Sequence, residues 1–491
     1  MVIFYMSFNG DTKLYYPLRK KVFSVANTLE KIGIDRRTLV MLAVMLFGAF
    51  IAILNQTLLT PALPSIMREM NVDASTAQWL TTGFMLVNGI MIPVTAYLIE
   101  RFTTRKLFFI SMGVFTLGTF IAAISTNFAM VLLARVLQAA GAGILMPMLQ
   151  TIMLLALPRQ YRGMGMGLIG LVIGCAPAVG PVAAGFIIDA FGWHILFYGM
   201  TPLALLTIVV AYFFLENLGE TSKPGLDITS VVLSTLGFGG LLYSFSAIGS
   251  YGFNATVLVT LAVGVVALIL FIHRQLHMKE PLLNMHIMSN KKFTISVVLT
   301  MLVQAALIVG TVLNPIYIQT IRGYGATVSG LIMLPASIAM LIMSPVSGRL
   351  FDKLGPRVLA IPGLFVTALF TIPMVVMDEN TPLLWLAFVY TVRTIGLSLV
   401  NMPLNTWGLN ALDNRVMAHG TAIGNTFRQV AGSLGTAVLV TVMSIVVAAS
   451  ADPTSNPAQI HGINMAYLGA GIMMFAALVL TIIFVKEDSK D

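Results

Sequence analysis

The sequence predicts an all-α polytopic membrane protein. Apolar runs of about 20 residues, the length that crosses a bilayer as a helix, recur from end to end. Of the 491 residues, 58% are hydrophobic and only 10% are charged, a balance that excludes a water-soluble globule with one core. A transmembrane barrel would instead show short alternating segments, and the chain shows none. The one cysteine, Cys175, lies in an apolar run, which excludes a disulfide framework and a Cys-based metal cluster.

Fourteen spans follow in order, at 38–60, 78–99, 107–124, 128–155, 164–188, 195–215, 228–248, 256–272, 294–317, 328–350, 358–376, 383–403, 421–447 and 466–485. Most connections are short, so consecutive helices are expected to run antiparallel. The first residues hold no short apolar segment with a small-residue cleavage site, and no removed signal peptide is expected. Cytoplasmic loops carry the excess of Lys and Arg. With the N-terminus inside, 23 of the 28 basic residues fall on the inner side, and only Arg68 and Arg322 fall outside. Arg135, Arg393 and Arg428 lie within spans. Both termini are therefore expected in the cytoplasm, and the basic charge reflects topology and contact with anionic lipid, not nucleic-acid binding.

The chain repeats. TAYLIERFTTRK around Glu100 returns as SGRLFDKLGPR around Asp352, with Glu100 to Asp352 and Arg105 to Arg357 each 252 apart. Met146-Pro147 and Arg159 return as Met402-Pro403 and Arg415 at 256, and Arg135 and Arg393 are 258 apart. Spans one to six thus correspond to spans nine to fourteen, and spans seven and eight are an insertion. The expected organisation is a cytoplasmic segment 1–37, a six-helix bundle 38–215, two inserted helices with their connectors 216–293, a second bundle 294–485 and a tail 486–491. Paired six-helix repeats suit a rocking transporter with its ligand site between the halves near the midplane. The connector 273–293 reads as amphipathic and could lie on the membrane surface, as could the opening segment with Arg19, Lys20 and Lys21.

Each copy of the repeated turn sets an acid among bases at helix ends: Glu100 with Arg101 and Arg105, and Asp352 with Gly348, Gly355 and Arg357. An acid there can cap a neighbouring helix N-terminus and pair with arginine, latching two helices in one state of a cycle. A solvated positive-inside loop would explain the bases but not the recurrence of acid, base and spacing. Further candidates come from the fifth span, where Gly167, Gly180 and Gly185 permit close packing and Pro181 removes a backbone donor, so the helix can bend as a gate.

SGRLFDKLGPR resembles the signature loop of the major facilitator superfamily, and the first copy is a weakened version with Ala96, Glu100 and Thr103 at the motif positions. LLARVLQAAGAG resembles the fourth-helix motif, centred on Arg135 with Gln138. GLIGLVIGCAPAVGPVAAG resembles the fifth-helix antiporter motif, with Ala176 and Ala184 in place of glycines. Fourteen spans with that motif are similar to the fourteen-helix drug:proton antiporters, and HGTAIGNTFRQVAGSLGTA resembles the lincomycin-resistance-type members. The resemblance covers about residues 38–485. It implies the major facilitator fold, two six-helix bundles plus two inserted helices. It also implies export by alternating access, coupled to protons.

One departure matters. The family's first helix typically carries an Asp before Thr and Ala-Leu-Pro, and this chain reads LNQTLLTPALP, with Asn55 at the acid's place. None of the 19 acids falls in mid-span; Asp189 ends the fifth span and Asp413 the twelfth. A buried carboxylate would be the natural proton carrier and partner of a cationic drug. Asp189, Asp413 and His194 remain as proton-coupling candidates, His419 standing beside them at a span end. The intramembrane arginines need helix carbonyls, water, an end-of-span acid or an anionic ligand. The cavity is therefore expected to favour neutral or anionic amphiphiles. Its candidate lining is Asn55, Gln56, Asn88, Arg135, Gln138, Gln304, Asn314 and Arg393, although such groups also serve as helix–helix hydrogen bonds.

No metal centre is expected: His273 and His277 are four apart, with no third ligand fixed nearby. No Walker loop, HExxH or GxSxG motif is present, so neither an ATP-driven pump nor a hydrolase is indicated. The expectation is a monomeric, multi-pass transporter of a bacterial cell membrane, with no cofactor and the proton gradient as driving force. Two rivals remain open: an exporter or flippase of an anionic metabolite or lipid, and a non-transporting receptor or scaffold.

Overall fold

The computed structural model describes residues 35–218, 221–222, 225–252 and 254–486, and their side chains except at 74, 75, 178, 181, 182, 189, 249–251 and 326. The basic opening segment, residues 1–34, lies outside the described residues, as do the side chains of Pro181 and Asp189.

The first half comprises α1 (Arg36–Met70), α2 (Ala74–Arg101), α3 (Thr104–Ala123), α4 (Phe128–Ala156), α5 (Arg162–Phe191) and α6 (His194–Phe214). The inserted pair is α7 (Ile228–Tyr251) and α8 (Ala255–His277). The second half opens with α9 (Lys291–Pro315), prolonged by a π-helical turn, Ile316–Ile321. A helical stretch Ala326–Thr371 follows, broken at Gly355 (φ 80°, ψ 177°) into α10, residues 326–354, and α11, residues 356–371. The chain ends in α12 (Leu383–Asn410), α13 (Met417–Ala448) and α14 (Asn456–Phe484). Among the described residues, twelve stretches are long and apolar enough to cross a membrane. One of these, Thr327–Val376, holds both α10 and α11, and the 30-residue α5 completes the fourteen.

Short polar residues start many of these helices by accepting the otherwise unpaired N–H groups of the first turn. Asp73 accepts from Thr76 at 2.9 Å, Asn127 from Met130 at 3.0 Å and Asn254 from Val257 at 2.9 Å. At Gly355 the backbone takes a positive φ that side-chain-bearing residues rarely adopt, so the turn between α10 and α11 can be made without a loop.

The helix ends that carry the repeated turns meet at one end of the bundle, where Asp352 reaches Gly163 and Glu100 reaches His419, and Arg37 at the start of α1 lies 3.6 Å from Glu216 on the connector after α6. This is the basic end. There α5 packs on α10 and α2 on α13, joining the halves. One apolar core runs from the first half into Phe293, Met402 and Met417 of the second. The inserted α7 packs on α8 and lies against both α2 and α13. The inserted pair is clasped at the basic end, where Arg274 donates to both Asp227 oxygens at 2.7 and 3.0 Å. Those bonds hold the Asp227 carboxyl at about 2, below its ordinary value.

The connector 273–293 differs from the surface helix its amphipathic pattern suggests. Leu282, Leu283 and Ile287 are buried under the bundle, and Gln275 holds the turn by accepting from the Leu283 N–H at 3.1 Å. The apolar face of the connector covers protein, not lipid.

Candidate transport site and inter-half latch

Arg135 enters the first half on α4 and is 1% exposed. Its Nη1 donates to the Asn55 Oδ1 of α1 at 2.9 Å and to Gln138 Oε1 at 2.8 Å, and its Nε donates to the Leu80 carbonyl at 3.3 Å. The guanidinium carbon lies 4.2 Å from the centre of the Phe84 ring. Burying a cation costs several kcal/mol unless its donors are satisfied. Here three neutral oxygens accept from Nε and Nη1 and a ring face lies against the guanidinium, and among the described residues no carboxylate pairs with Arg135. Asn55 thus fills the place where the family pattern carries an acid, and it meets the motif arginine directly. Its own Nδ2 is buried without a partner among the described residues.

Arg393 on α12 is the counterpart but not a copy. It donates from Nε to Thr371 Oγ1 at 3.1 Å and from Nη2 to the Ala306 carbonyl at 2.6 Å, while Nη1 is buried without a partner among the described residues. Gly310 stands 255 residues beyond Asn55, and a Cβ there would lie 3.1 Å from Nη1. The second half therefore offers a bare backbone where the first offers an amide oxygen. Arg428, the third intramembrane cation, donates from Nη2 to Asn425, and Asn425 donates across the halves to Gln150 at 2.7 Å.

The other cavity candidates divide. Gln138 is tied to Arg135 and, through Nε2, to Thr119 at 3.3 Å. Asn314 accepts from the Tyr467 hydroxyl at 2.6 Å inside the second half. Gln56, Asn88 and Gln304 are half-buried and make no side-chain hydrogen bond among the described residues, which leaves their amides available to a ligand.

The repeated acids both reach across to the other half. Asp352 at the end of α10 accepts from the N–H groups of Gly163 and Met164, each at 2.8 Å, so it sits on the N-terminus of α5. Such an acid is favoured by both the free N–H groups and the helix dipole. Gly348 makes this approach possible: a Cβ on it would lie 2.2 Å from the Gly163 carbonyl oxygen and 3.1 Å from the Gly167 Cα. On the other seam, Glu100 of α2 lies 2.8 Å from Nε2 of His419 on α13.

The bases of the signature do not complete the latch. Arg105 donates to the Tyr212 carbonyl at 2.8 Å and its N–H to Asn217 at 3.1 Å, all within the first half and its connector. Arg101 is exposed, and Arg357 is half-buried beyond the Gly355 turn. The cross-half arginine is instead Arg162, which donates to Asn410 at 3.1 Å and Asn414 at 3.0 Å. Arg162 carries no motif signal, whereas His419 opens the HGTAIGNTFRQVAGSLGTA run. Its place against the signature-loop acid is signalled by the repeat, since His419 stands 256 residues beyond Gly163, the offset of Arg159 and Arg415.

In the glycine-rich α5, Gly167 and Gly180 are close-approach sites, to Ser344 of α10 and Thr57 of α1, whereas Gly185 has open space beside it. The helix runs unbroken from Arg162 to Phe191. Of the proton candidates, Asp413 is exposed and caps its own turn by accepting from the Arg415 N–H at 3.3 Å. His194 sits at the opposite end, with Nε2 2.9 Å from the Ser125 carbonyl and Nδ1 3.8 Å from Glu69.

The sequence model described as the Major Facilitator Superfamily matches residues 45–436. The chain belongs to the major facilitator superfamily. This transporter is 46% identical over 450 residues to the MFS-type transporter YcnB of Bacillus subtilis, covering 91% of this chain and 95% of that one. It is 39% identical over 466 residues to the lincomycin resistance protein LmrB of the same organism, covering 93% and 97%. It is 28% identical over 395 residues to the multidrug export protein EmrB of Haemophilus influenzae, covering 80% and 78%. In fold it is similar to the human organic anion transporter MFSD10, with a TM-score of 0.65, 11% identity, and coverage of 91% of this chain and all of that one. A multi-pass transporter of the cell membrane, with bacterial relatives, is thereby established.

Proposed function

We propose that this transporter exports amphipathic small molecules from the cytoplasm by alternating access, driven by the proton gradient, with its basic end facing the cytoplasm. The observation that carries the reading is the pair of acids one repeat apart, Asp352 and Glu100, each crossing to the opposite half at the same end of the bundle. Bonds that join two rocking halves at one end must break for that end to open, so the latch distinguishes one state of a cycle from the other. Export as the direction is supported by the relatives named for lincomycin resistance and multidrug export.

The cavity favours neutral or anionic amphiphiles. Arg135 is balanced by neutral oxygens, and Arg428 has two guanidinium nitrogens without hydrogen-bond partners among the described residues. An exporter or flippase of an anionic metabolite or lipid is the second reading, favoured by the same uncompensated cations.

Everted membrane vesicles test both. Addition of lincomycin or a neutral amphiphile to energised vesicles is expected to dissipate the proton gradient, and a protonophore to abolish uptake. Gradient-independent uptake would rule out proton coupling. Strong transport of permanent cations, with none of neutral or anionic compounds, would overturn the charge preference.

A further inference from the structure

Of the three arginines inside the spans, one faces the boundary between the halves. Arg135 and Arg393 are 1% and 0% exposed, and every hydrogen bond each makes stays within its own half. Arg428 is 9% exposed. Thr421, Asn425, Arg428, Gly432 and Gly435 recur at helical spacing along one face of α13. Near the basic end this face meets α4 of the first half, where the Thr151 and Thr421 hydroxyls lie 2.6 Å apart and Asn425 Nδ2 donates to Gln150 Oε1 at 2.7 Å. Further along it meets α9 of its own half: a Cβ on Gly435 would lie 2.6 Å from the Ala305 Cβ, and one on Gly432 would lie 3.9 Å from the Gln304 Cγ. Arg428 stands where the face passes from one contact to the other, one turn beyond the Asn425–Gln150 bond.

Its guanidinium is held at one nitrogen. Nη2 donates to Asn425 Oδ1, and Nε and Nη1 have no hydrogen-bond partner among the described residues. No carboxylate among those residues pairs with it. Two amides beside this face also have donors left over. Gln150 Nε2 is buried without a partner among the described residues, and the half-buried Gln304 makes no side-chain hydrogen bond there. A buried cation is costly until an anion meets it. A guanidinium presents a planar fork that fits a carboxylate, phosphate or sulfate with two parallel hydrogen bonds.

We propose that Arg428 is the residue that reads charge in the exported molecule. It binds the oxyanion head group, a carboxylate, phosphate or sulfate, of an amphiphile lodged between the halves, with Gln150 Nε2 and the Gln304 amide as further donors. The head group then lies against the last side-chain hydrogen bond that α13 makes to the first half, so recognition and the inter-half contact share Asn425. The inference rests on the export reading and deepens it, but binding requires no gradient.

The test uses the full chain in phosphatidylcholine nanodiscs and two probes with the same apolar body, a dansyl-labelled alkyl sulfate and the corresponding alcohol. Binding is read by dansyl fluorescence after subtraction of empty nanodiscs. The wild type is expected to bind the sulfate about tenfold tighter than the alcohol. Arg428→Gln keeps an N–H donor for Asn425 but no charge, and is expected to bind both probes alike. Asn425→Asp keeps Arg428 but supplies it with a carboxylate, and the Gln150 amide can turn its free Nε2 to the new oxygen. This variant is also expected to lose the preference, and it serves if Arg428→Gln does not fold. A wild type without the preference, or variants that retain it, would overturn the assignment. Displacement of the sulfate by phosphatidylglycerol in the nanodisc would overturn it too, by giving the site to a membrane lipid. Vesicles that fail to export, alongside a sulfate preference that depends on Arg428, would remove the export reading alone.

Discussion

Asn55 Oδ1 accepts from Arg135 Nη1 at 2.9 Å in the buried centre of the first half. The first helix therefore balances the fourth-helix arginine with a neutral amide, and the unpartnered Asn55 Nδ2 makes no bond that a carboxylate oxygen in its place would break. Asn55→Asp is expected to fold, with a melting temperature in detergent equal to or above that of the wild type. It would add one negative charge to the centre and shift the vesicle substrate profile toward cations. Arg135→Ala is expected to destabilise by about 3 kcal/mol or more, because buried acceptors on Asn55, Gln138 and Leu80 lose their donor. An Asn55→Asp protein that melts far below wild type would contradict this account of the pair.

Asp352 holds two peptide N–H groups of α5 from the opposite half. Charge-assisted hydrogen bonds of this kind contribute roughly 1.5–3 kcal/mol. Asp352→Asn removes the charge and one acceptor, so the closed population at the basic end is expected to fall about tenfold, with a matching loss of export rate. Cysteine accessibility at Gln160, exposed beside this latch, measures the opening. Unchanged accessibility would place the closing energy elsewhere.

The fourteen spans and the two-repeat plan were legible because hydrophobic length and a 252-residue offset are written in side chains. Glu100 and Asp352, the acids that contact the opposite half, were legible for the same reason. Their partners were not. Asp352 binds backbone N–H groups, which leave no trace in sequence, and Glu100 binds His419 in place of the arginine suggested by neighbouring bases. The connector 273–293 shows the limit of periodicity: an apolar face at Leu282, Leu283 and Ile287 says that something covers it, not whether lipid or protein does. Arg135 has no acid within the spans to pair with, and the structure answers it with amides and a carbonyl.

Arg393 tests whether the two halves are energetically equivalent. Its Nη1 is buried without a partner among the described residues, whereas Nε and Nη1 of Arg135 both meet buried oxygens. Unsatisfied buried donors cost about 1–3 kcal/mol, so Arg393→Gln is expected to lower the melting temperature less than Arg135→Gln does. The reverse order in thermal melts of the two purified variants would mean that Arg393 has an acceptor in the working protein, such as a water or a ligand.

The glycines of the α5–α10 seam separate packing from motif. A Cβ on Gly348 would lie 2.2 Å from the Gly163 carbonyl oxygen, a backbone atom that cannot turn away, while a Cβ on Gly185 meets nothing within 4 Å. Gly348→Ala must therefore push α10 off α5 at the basic end, which also draws Asp352 away from its two N–H groups. Overpacking of this kind costs about 1–3 kcal/mol, and under the proposed cycle, in which the two helices separate when that end opens, it acts on the closed form alone. Export by Gly348→Ala is expected to drop at least tenfold, with protein yield in the membrane little changed. Gly185→Ala, although it alters a residue of the antiporter motif, is expected to export at close to the wild-type rate. Both glycines match family patterns, so a contrast between them in vesicle transport would trace the first to a close approach of two backbones. Equal losses in the two variants would show that Gly185 meets a neighbour in another state of the cycle.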